Sequence, residues 1–287
     1  MIEGSLTSSI GADWPPVHAS NERIRGFYPE VVESEGGAED FMSQLEELQA
    51  STIEAAQVDR LSVRVVASRS VVQLLHHAGV HIEGTLPVAN KGRELYIAYT
   101  AWNAAHRKMT KDRLEQHHEI IRQAASRPRI NDDPAETLRA KGFEPRVLDS
   151  SVSIEDRLAE AHKFFELYST FNYDEDSVRD LLADPTSTIA YIEDEYGQVA
   201  STVLAEQADV LVDGCGEIRL VELTEAVTRQ ELQGHDLYRA VSGVVTRQIV
   251  KANSRRPARP VDVLYGESNL SSPGVIFAAW KNGRQLG

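Results

Sequence analysis

The sequence predicts an α/β (α+β) protein in two parts, a smaller α/β domain followed by a larger one built on a mixed, mostly antiparallel sheet flanked by helices. Three observations carry that expectation. β-Branched apolar runs alternate with amphipathic stretches along the 287 residues. Three successive strand patterns between 188 and 228 are separated by short turn signals such as Glu195, Tyr196 and Gly197. A breaker-rich stretch, SRPRINDDPAET at 126–137, falls between the two parts.

Residues 1–40 mix Ser, Gly, Pro and acidic side chains without a sustained period, which reads as a loosely held extension. Phe41, Met42, Leu45, Leu48, Ile53 and Ala56 fall near one helical face, so a helix is expected over 41–58. The run RLSVRVVA at 60–67 predicts a strand, and SRSVVQLLHHAG at 68–79 a helix capped by Ser68 or Ser70 and stopped by Gly79. Strands follow at 80–88 and 94–100. A largely exposed connecting helix is expected over 102–126, ending before Pro128.

The second part opens with a strand at 146–152. A helix over 154–171 follows, introduced by Ser153 and a carboxylate-rich first turn, and another covers 174–184. Strands at 188–194, 198–211 and 217–228 form an antiparallel meander. A helix over 234–252, a strand at 261–267 and a helix over 273–283 complete the order β-α-α-β-β-β-α-β-α.

Composition narrows the partners. Apolar residues at 41% and charged residues at 26% describe a globular chain. The formal charge of −14 repels phosphate backbones and anionic lipid, so neither nucleic acid nor a membrane is expected as a partner. The single cysteine, Cys215, cannot form an internal bridge. With no leader-like start and no apolar run of about 18 residues, the cytoplasm is the expected location. The pairs His76–His77 and His117–His118 are adjacent in sequence and so do not share a helical face; no metal site is expected. Gly214 and Gly216 flank Cys215 without the third glycine of a dinucleotide fingerprint.

The segment VELTEAVTRQELQGHDLY at 221–238 carries the chemistry. A strand bearing Glu222 and Glu225 runs into a turn and then a helix opening at Gln233, Gly234, His235, Asp236 and Leu237. A helix N-terminus exposes backbone N–H groups with a partial positive charge, as holding a pyrophosphate requires, and Gly234 lets the backbone come close. The plain alternative is a strand-to-helix turn that needs Gly234 only for its dihedrals. Glu222 and Glu225 lie three apart on the strand, so alternation aims them at opposite faces.

This strand, turn and helix resemble the acetyl-CoA-binding motif of the GCN5-related N-acetyltransferase (GNAT) superfamily, in which an Arg or Gln, two residues and a Gly begin the pyrophosphate loop after the fourth strand. Gln233 and Gly234 match its start. Asp236 and Tyr238 stand where small residues are usual. The element order of 146–283 follows the same superfamily, and HIEGTLPVANKGRELYIAYT with YGESNLSSPGVIFAAWKNGRQ is similar to its β-lysine N-acetyltransferase branch. The resemblance implies an enzyme that uses acetyl-CoA to acetylate a primary amine of a small molecule, such as the amino acid β-lysine, by direct transfer. A catalytically silent acyl-CoA-binding or dimerisation module is the alternative.

It further implies a GNAT-type sheet and roles for particular residues. Backbone at Ala226, Val227 and Thr228 would hold the pantetheine arm, with Val227 as the donor that polarises the carbonyl, and Asn269 would contact the same arm. Glu222 is the favoured general base and Glu225 the second candidate. The superfamily's acid is often a Tyr four residues before a Gly in the last helix. Ala279 holds that position before Gly283, so Tyr265 and Tyr238 are substitutes. Glu206, Glu222, Glu225 and Glu267 are candidates to receive the substrate ammonium, with Tyr168, Phe171 and Tyr173 as a wall; Phe164, Phe165 and Leu167 are expected in the core. Arg219 suits either a substrate carboxylate or a surface ion pair. The implied domains are a 1–40 extension, a degenerate GNAT-like domain at 41–101, a helical linker at 102–144 and an acetyltransferase domain at 145–287. That last domain has no room for the superfamily's final two strands. Either the sequence is a fragment with an edge open to a second copy of the chain, or the first half supplies the missing edge.

Overall fold

A computed structural model of the chain describes residues 18–20, 23–56, 60–88, 94–103, 111–128, 134–170, 173–255 and 260–266. They divide into two compact units, one of 1–110 with 209–219, the other of 111–208 with 220–286.

In the first unit, strands β1 (His18–Ser20), β2 (Arg23–Val32), β3 (Arg60–Ser68), β4 (Ile82–Pro87) and β5 (Leu95–Asn103) form one sheet in the order β1-β2-β3-β5-β4. Helices α1 (Glu35–Ala56) and α2 (Arg69–His77) belong to the same unit. Phe41, Leu45 and Leu48 of α1 meet Val63, Val65 and Ala67 of β3 and Val71 and Leu75 of α2 in the core. Over 23–40 the expectation of a loosely held extension is corrected, because β2 is a parallel partner of β3. It escapes a period-2 reading because its register shifts between Phe27 and Val31, where Pro29 interrupts the alternation. The Pro29 carbonyl there accepts from Asp213 N at 2.7 Å, and Val31 N donates to Asp213 O at 3.0 Å. The strand expected at 94–100 runs on to Asn103, into the range expected to be helical.

The second unit begins with helix α3 (Lys111–Ala125) and a short α4 (Pro134–Arg139) inside the breaker-rich stretch, with Pro134 as its first residue. Strand β6 (Glu144–Leu148) precedes α5 (Ile154–Ala159), α6 (Ala161–Ser169) and α7 (Glu175–Ala183). Ser153 caps α5, accepting from Asp156 N at 3.1 Å, and Asp174 caps α7, accepting from Ser177 N at 2.8 Å. The single helix expected over 154–171 is two, because its backbone breaks at Glu160. Strands β7 (Thr188–Glu193), β8 (Val199–Val212) and β9 (Gly216–Thr228), helix α8 (Leu237–Arg255) and strand β10 (Val263–Tyr265) follow.

The sheet order is β10-β9-β8-β7-β6. β6, β7 and β8 are antiparallel neighbours, whereas β10 lies parallel to β9, so the sheet is mixed, with antiparallel pairs in the majority. Its two faces are both covered. Ala190, Val203, Val221 and Leu223 pack against Leu237, Val241 and Val245 of α8 and Leu138 of α4. Ile189, Tyr191, Leu204 and Val227 pack against Phe164 and Leu167 of α6 and Val178 and Leu182 of α7. The helix expected over 273–283 lies outside the described residues.

Candidate functional site

The site is organised by an irregularity in β9. Strand alternation would keep Val221, Leu223 and Val227 on one face, yet Val221 and Leu223 pack on the α8 side and Val227 on the α6–α7 side. The switch lies at Glu225, whose φ of 45° is left-handed and rare for a residue with a Cβ. Glu222 is opposite Val221 and Leu223 and so faces the α6–α7 side. The bulge turns Glu225 to that side too, where its carboxylate accepts from the Tyr173 hydroxyl. The expectation that the two glutamates face opposite ways is therefore corrected, since it rested on unbroken period-2 geometry.

Each carboxylate has a tyrosine. The Tyr265 hydroxyl donates to Glu222 Oε2 at 2.8 Å, and both residues are buried, at 8% and 7% exposure. Those two residues are also register partners across β10 and β9. Glu225 is half-buried and more accessible. Its backbone carbonyl accepts from the Tyr168 hydroxyl at 2.8 Å, which braces the bulge from α6, and the Tyr168 and Tyr173 rings lie 5.4 Å apart. Burial raises the Tyr173 phenol above its ordinary value, and the hydrogen bond to Glu225 and the charges of Glu225 and Glu206 push the same way. Burial does the same to Tyr168, reinforced by the Glu225 charge. Both phenols therefore stay protonated through neutral and mildly alkaline pH and remain donors.

Among the described residues, pairing with β10 covers Leu220, Val221 and Glu222. Ala226 and Thr228 lie beyond it, Ala226 exposed and Thr228 half-buried, while Val227 buries its side chain. On the β8 side the strand is pinned. The Ser201 hydroxyl lies 2.8 Å from Thr228 Oγ1 and donates to Val227 O at 3.2 Å, and Arg229 N donates to Ala200 O at 3.0 Å. Arg229 then pairs its guanidinium with Asp194 in the β7–β8 turn. Burial opposes ionisation of Asp194, but hydrogen bonds from Arg229 and the Gln198 and Tyr196 amides hold its carboxyl below the ordinary value. Neither Ser201 nor Asp194 carries a motif that sequence reading would notice.

The turn after β9 continues through a single 3-10 turn at Gln230–Leu232. The helix expected from 234 begins at Leu237, because Gly234 (φ 87°) and Asp236 (φ 61°) are both left-handed, a conformation an α-helix excludes. Gln233, Gly234, His235 and Asp236 are exposed on the loop that feeds the helix. A Cβ built on Gly234 meets no atom within 4 Å, so the loop has open space in front of its backbone. The Asp236 carboxylate is turned toward the first helical turn, 3.7 Å from the Arg239 guanidinium.

Tyr173, Glu206 and Leu204 line a cavity of about 380 Å³ with Ser177, Asp180 and Leu181 of α7 and Asp184 at its C-terminal cap. Phe164 and Leu167 are in the core as expected, but Phe165 is 36% exposed, since adjacent helical residues point apart. Tyr238 packs partly against the core on the α8 side, away from the carboxylates. Arg219 is taken by Asp209 through two bonds of 2.7 and 2.8 Å, the ion-pair alternative. Asn269, Glu267 and Phe171 lie outside the described residues.

No family model matches this chain, and no curated protein matches it. Similar solved structures include a ribosomal-protein-alanine N-acetyltransferase from Brucella melitensis biovar Abortus, 15% identical, with 46% of this chain and 85% of that one covered and a TM-score of 0.34. A glucosamine-6-phosphate N-acetyltransferase from Arabidopsis thaliana is 13% identical over 45% of this chain and 84% of its own, with a TM-score of 0.34. An aminoglycoside N-acetyltransferase in complex with CoA is 9% identical over 50% and 88%, with a TM-score of 0.38.

Proposed function

We propose that this chain is an acetyl-CoA-dependent N-acetyltransferase acting on a primary amine of a small molecule, by direct transfer with no acyl-enzyme, with 145–287 as the acetyltransferase domain. One observation carries the reading. The bulge at Glu225 sets two carboxylate–tyrosine pairs on one face of the strand that leads to the loop at Gly234.

The residues fit the co-substrate. The open space at Gly234 and the amides that begin α8 suit a pyrophosphate. Asp236, turned toward Arg239, does not oppose it unpaired. Backbone at Ala226, Val227 and Thr228 runs from there to the carboxylates, with the Val227 amide as the candidate donor to the acyl oxygen. Acetyl-CoA supplies a thioester whose C–S bond breaks as the amine forms its C–N bond.

The chain's own groups handle the protons. Glu225, the more accessible carboxylate, takes the proton that the amine must lose. Tyr173 fixes the direction of that carboxylate. Tyr265, released from its hydrogen bond to Glu222, protonates the leaving thiolate, and its phenolate then takes a proton from solvent, to which Glu225 returns the proton it took from the amine. The test is thiol release from acetyl-CoA on adding small amines, β-lysine among them. Amine-dependent release supports the reading, and acetyl-CoA binding without release under any amine would make the chain a silent acyl-CoA-binding module.

A further inference from the structure

Glu225 is gripped by two tyrosines that take different parts of it. Tyr173 donates to the carboxylate, whereas Tyr168 donates to the backbone carbonyl at 2.8 Å. The sequence makes Tyr168 a candidate for the substrate wall, but at 4% exposure it presents almost no surface to a ligand. Its ring shares a core cluster with Phe164, Leu167 and Val227, and the Thr202 side chain on β8 hydrogen-bonds the same hydroxyl. Its place on α6 is fixed by the helix end, where the Thr170 and Ser169 hydroxyls donate back to the Leu167 and Glu166 carbonyls at 2.8 and 2.9 Å.

Carbonyls in a regular strand point along the sheet toward neighbouring strands. The Glu225 carbonyl meets a hydroxyl from the helix layer, and its residue has the left-handed φ of 45°. A residue with a Cβ keeps that conformation only where its surroundings over-determine it. Tyr168 reaches the main chain of the bulge itself, so it bears on the conformation, while Tyr173 bears on the carboxylate that the conformation presents.

We propose that Tyr168 is a positioning residue of this site: by holding the Glu225 carbonyl it keeps that residue left-handed, and so keeps the carboxylate on the Tyr173 side. Tyr168 touches no reacting atom and acts through Glu225. The consequence for turnover rests on the acetyltransferase reading with Glu225 as base, whereas the consequence for the backbone does not.

The experiment uses the full chain with Tyr168→Phe, Glu225→Gln, the two combined, and Tyr191→Phe. Tyr191 is the comparison because it lies in the same core cluster, against the Phe164 ring, and its hydroxyl reaches Glu160 at 3.4 Å. Tyr168→Phe keeps the ring and removes the donor. Its crystal structure is expected to show residue 225 in the extended region, with its carboxylate released from Tyr173. kcat for amine-dependent thiol release is expected to fall about tenfold or more at unchanged KM for acetyl-CoA. Added to Glu225→Gln, Tyr168→Phe is expected to lower turnover no further, because a residue that acts through another loses its effect once that other is gone. Tyr191→Phe is expected to leave kcat in place.

A Tyr168→Phe structure with Glu225 still left-handed and bonded to Tyr173 overturns the proposal, whatever the kinetics. So does a displaced Glu225 with kcat unchanged. Equal losses with and without Glu225→Gln, or the same loss in Tyr191→Phe, reduce Tyr168 to packing and overturn it too. A parent chain without thiol release overturns the acetyltransferase reading, and the backbone claim is then decided by φ at residue 225. If Tyr168→Phe fails to fold, adding Glu225→Gly is expected to restore folding, since glycine takes a left-handed φ freely; a double variant that stays unfolded overturns the proposal.

Discussion

At the residue scale, the account turns on Glu225 and on the two tyrosines that hold it. Glu225→Gln keeps the shape of the side chain and removes the base, so kcat is expected to fall about a hundredfold or more with acetyl-CoA affinity unchanged. Tyr173→Phe frees the carboxylate to rotate without removing it. A smaller loss is expected, about tenfold, concentrated in kcat rather than in the acetyl-CoA constant. Tyr173 is raised by burial and by Glu225, so its contribution to stability is fully present below the ordinary tyrosine value and is lost as pH rises from there through the raised value. No limb of the pH–rate profile below about pH 9 should therefore disappear in Tyr173→Phe. Both glutamates were visible in the sequence as residue types at a strand exit. Their shared face was not, because one left-handed residue reverses every side chain beyond it and no local sequence rule marks a glutamate for that conformation.

At the element scale, β9 and the loop after it join base, acyl arm and pyrophosphate into one continuous piece of chain. Its register against β8 is secured by Ser201 and by the Arg229–Asp194 pair. The two side chains of that pair are 20% and 13% exposed, so Arg229→Ala is expected to cost about 2 kcal/mol, between a surface and a fully buried pair. The folded carboxyl of Asp194 lies below its unfolded value. Its stabilisation is therefore complete above the ordinary carboxylate range and is lost as pH falls through the lowered value. Urea denaturation at neutral pH and in acid is expected to show the difference between Arg229→Ala and the parent protein shrinking in acid. In the loop, Asp236→Asn keeps a residue that tolerates φ 61° and removes a negative charge. Acetyl-CoA affinity by calorimetry is expected to rise, by about threefold to tenfold.

The elements differed in how openly the sequence announced them. The meander and α7 were legible because alternation, turn residues and the Asp174 cap all agree locally. β2 was not, because a strand interrupted by Pro29 acquires its identity from β3, whose register partners lie 35 (Val31 to Val66) to 37 (Arg23 to Arg60) residues further on, and from Asp213. The break at Glu160 was hidden because 154–171 has helical composition throughout and no glycine or proline marks the turn between α5 and α6.

At the scale of the molecule, two compact units each carry a five-stranded mixed sheet, and the chain visits the first unit twice. The breaker-rich stretch at 126–137 lies inside the second unit, past the division at 110/111, and nothing in 209–219 announced the return to the first. Replacing 210–218 by a two-residue turn removes the acceptor of the Val31 amide, so hydrogen exchange is expected to speed up at 23–32 while α8 keeps its protection. No helix among the described residues is long and apolar enough to cross a membrane. The most direct test of the central claim compares acetyl-CoA thiol release by the parent chain and by Glu225→Gln, with acetyl-CoA affinity measured on both. The expected result is amine-dependent release that drops about a hundredfold in the variant at unchanged affinity; undiminished release by Glu225→Gln would contradict the account.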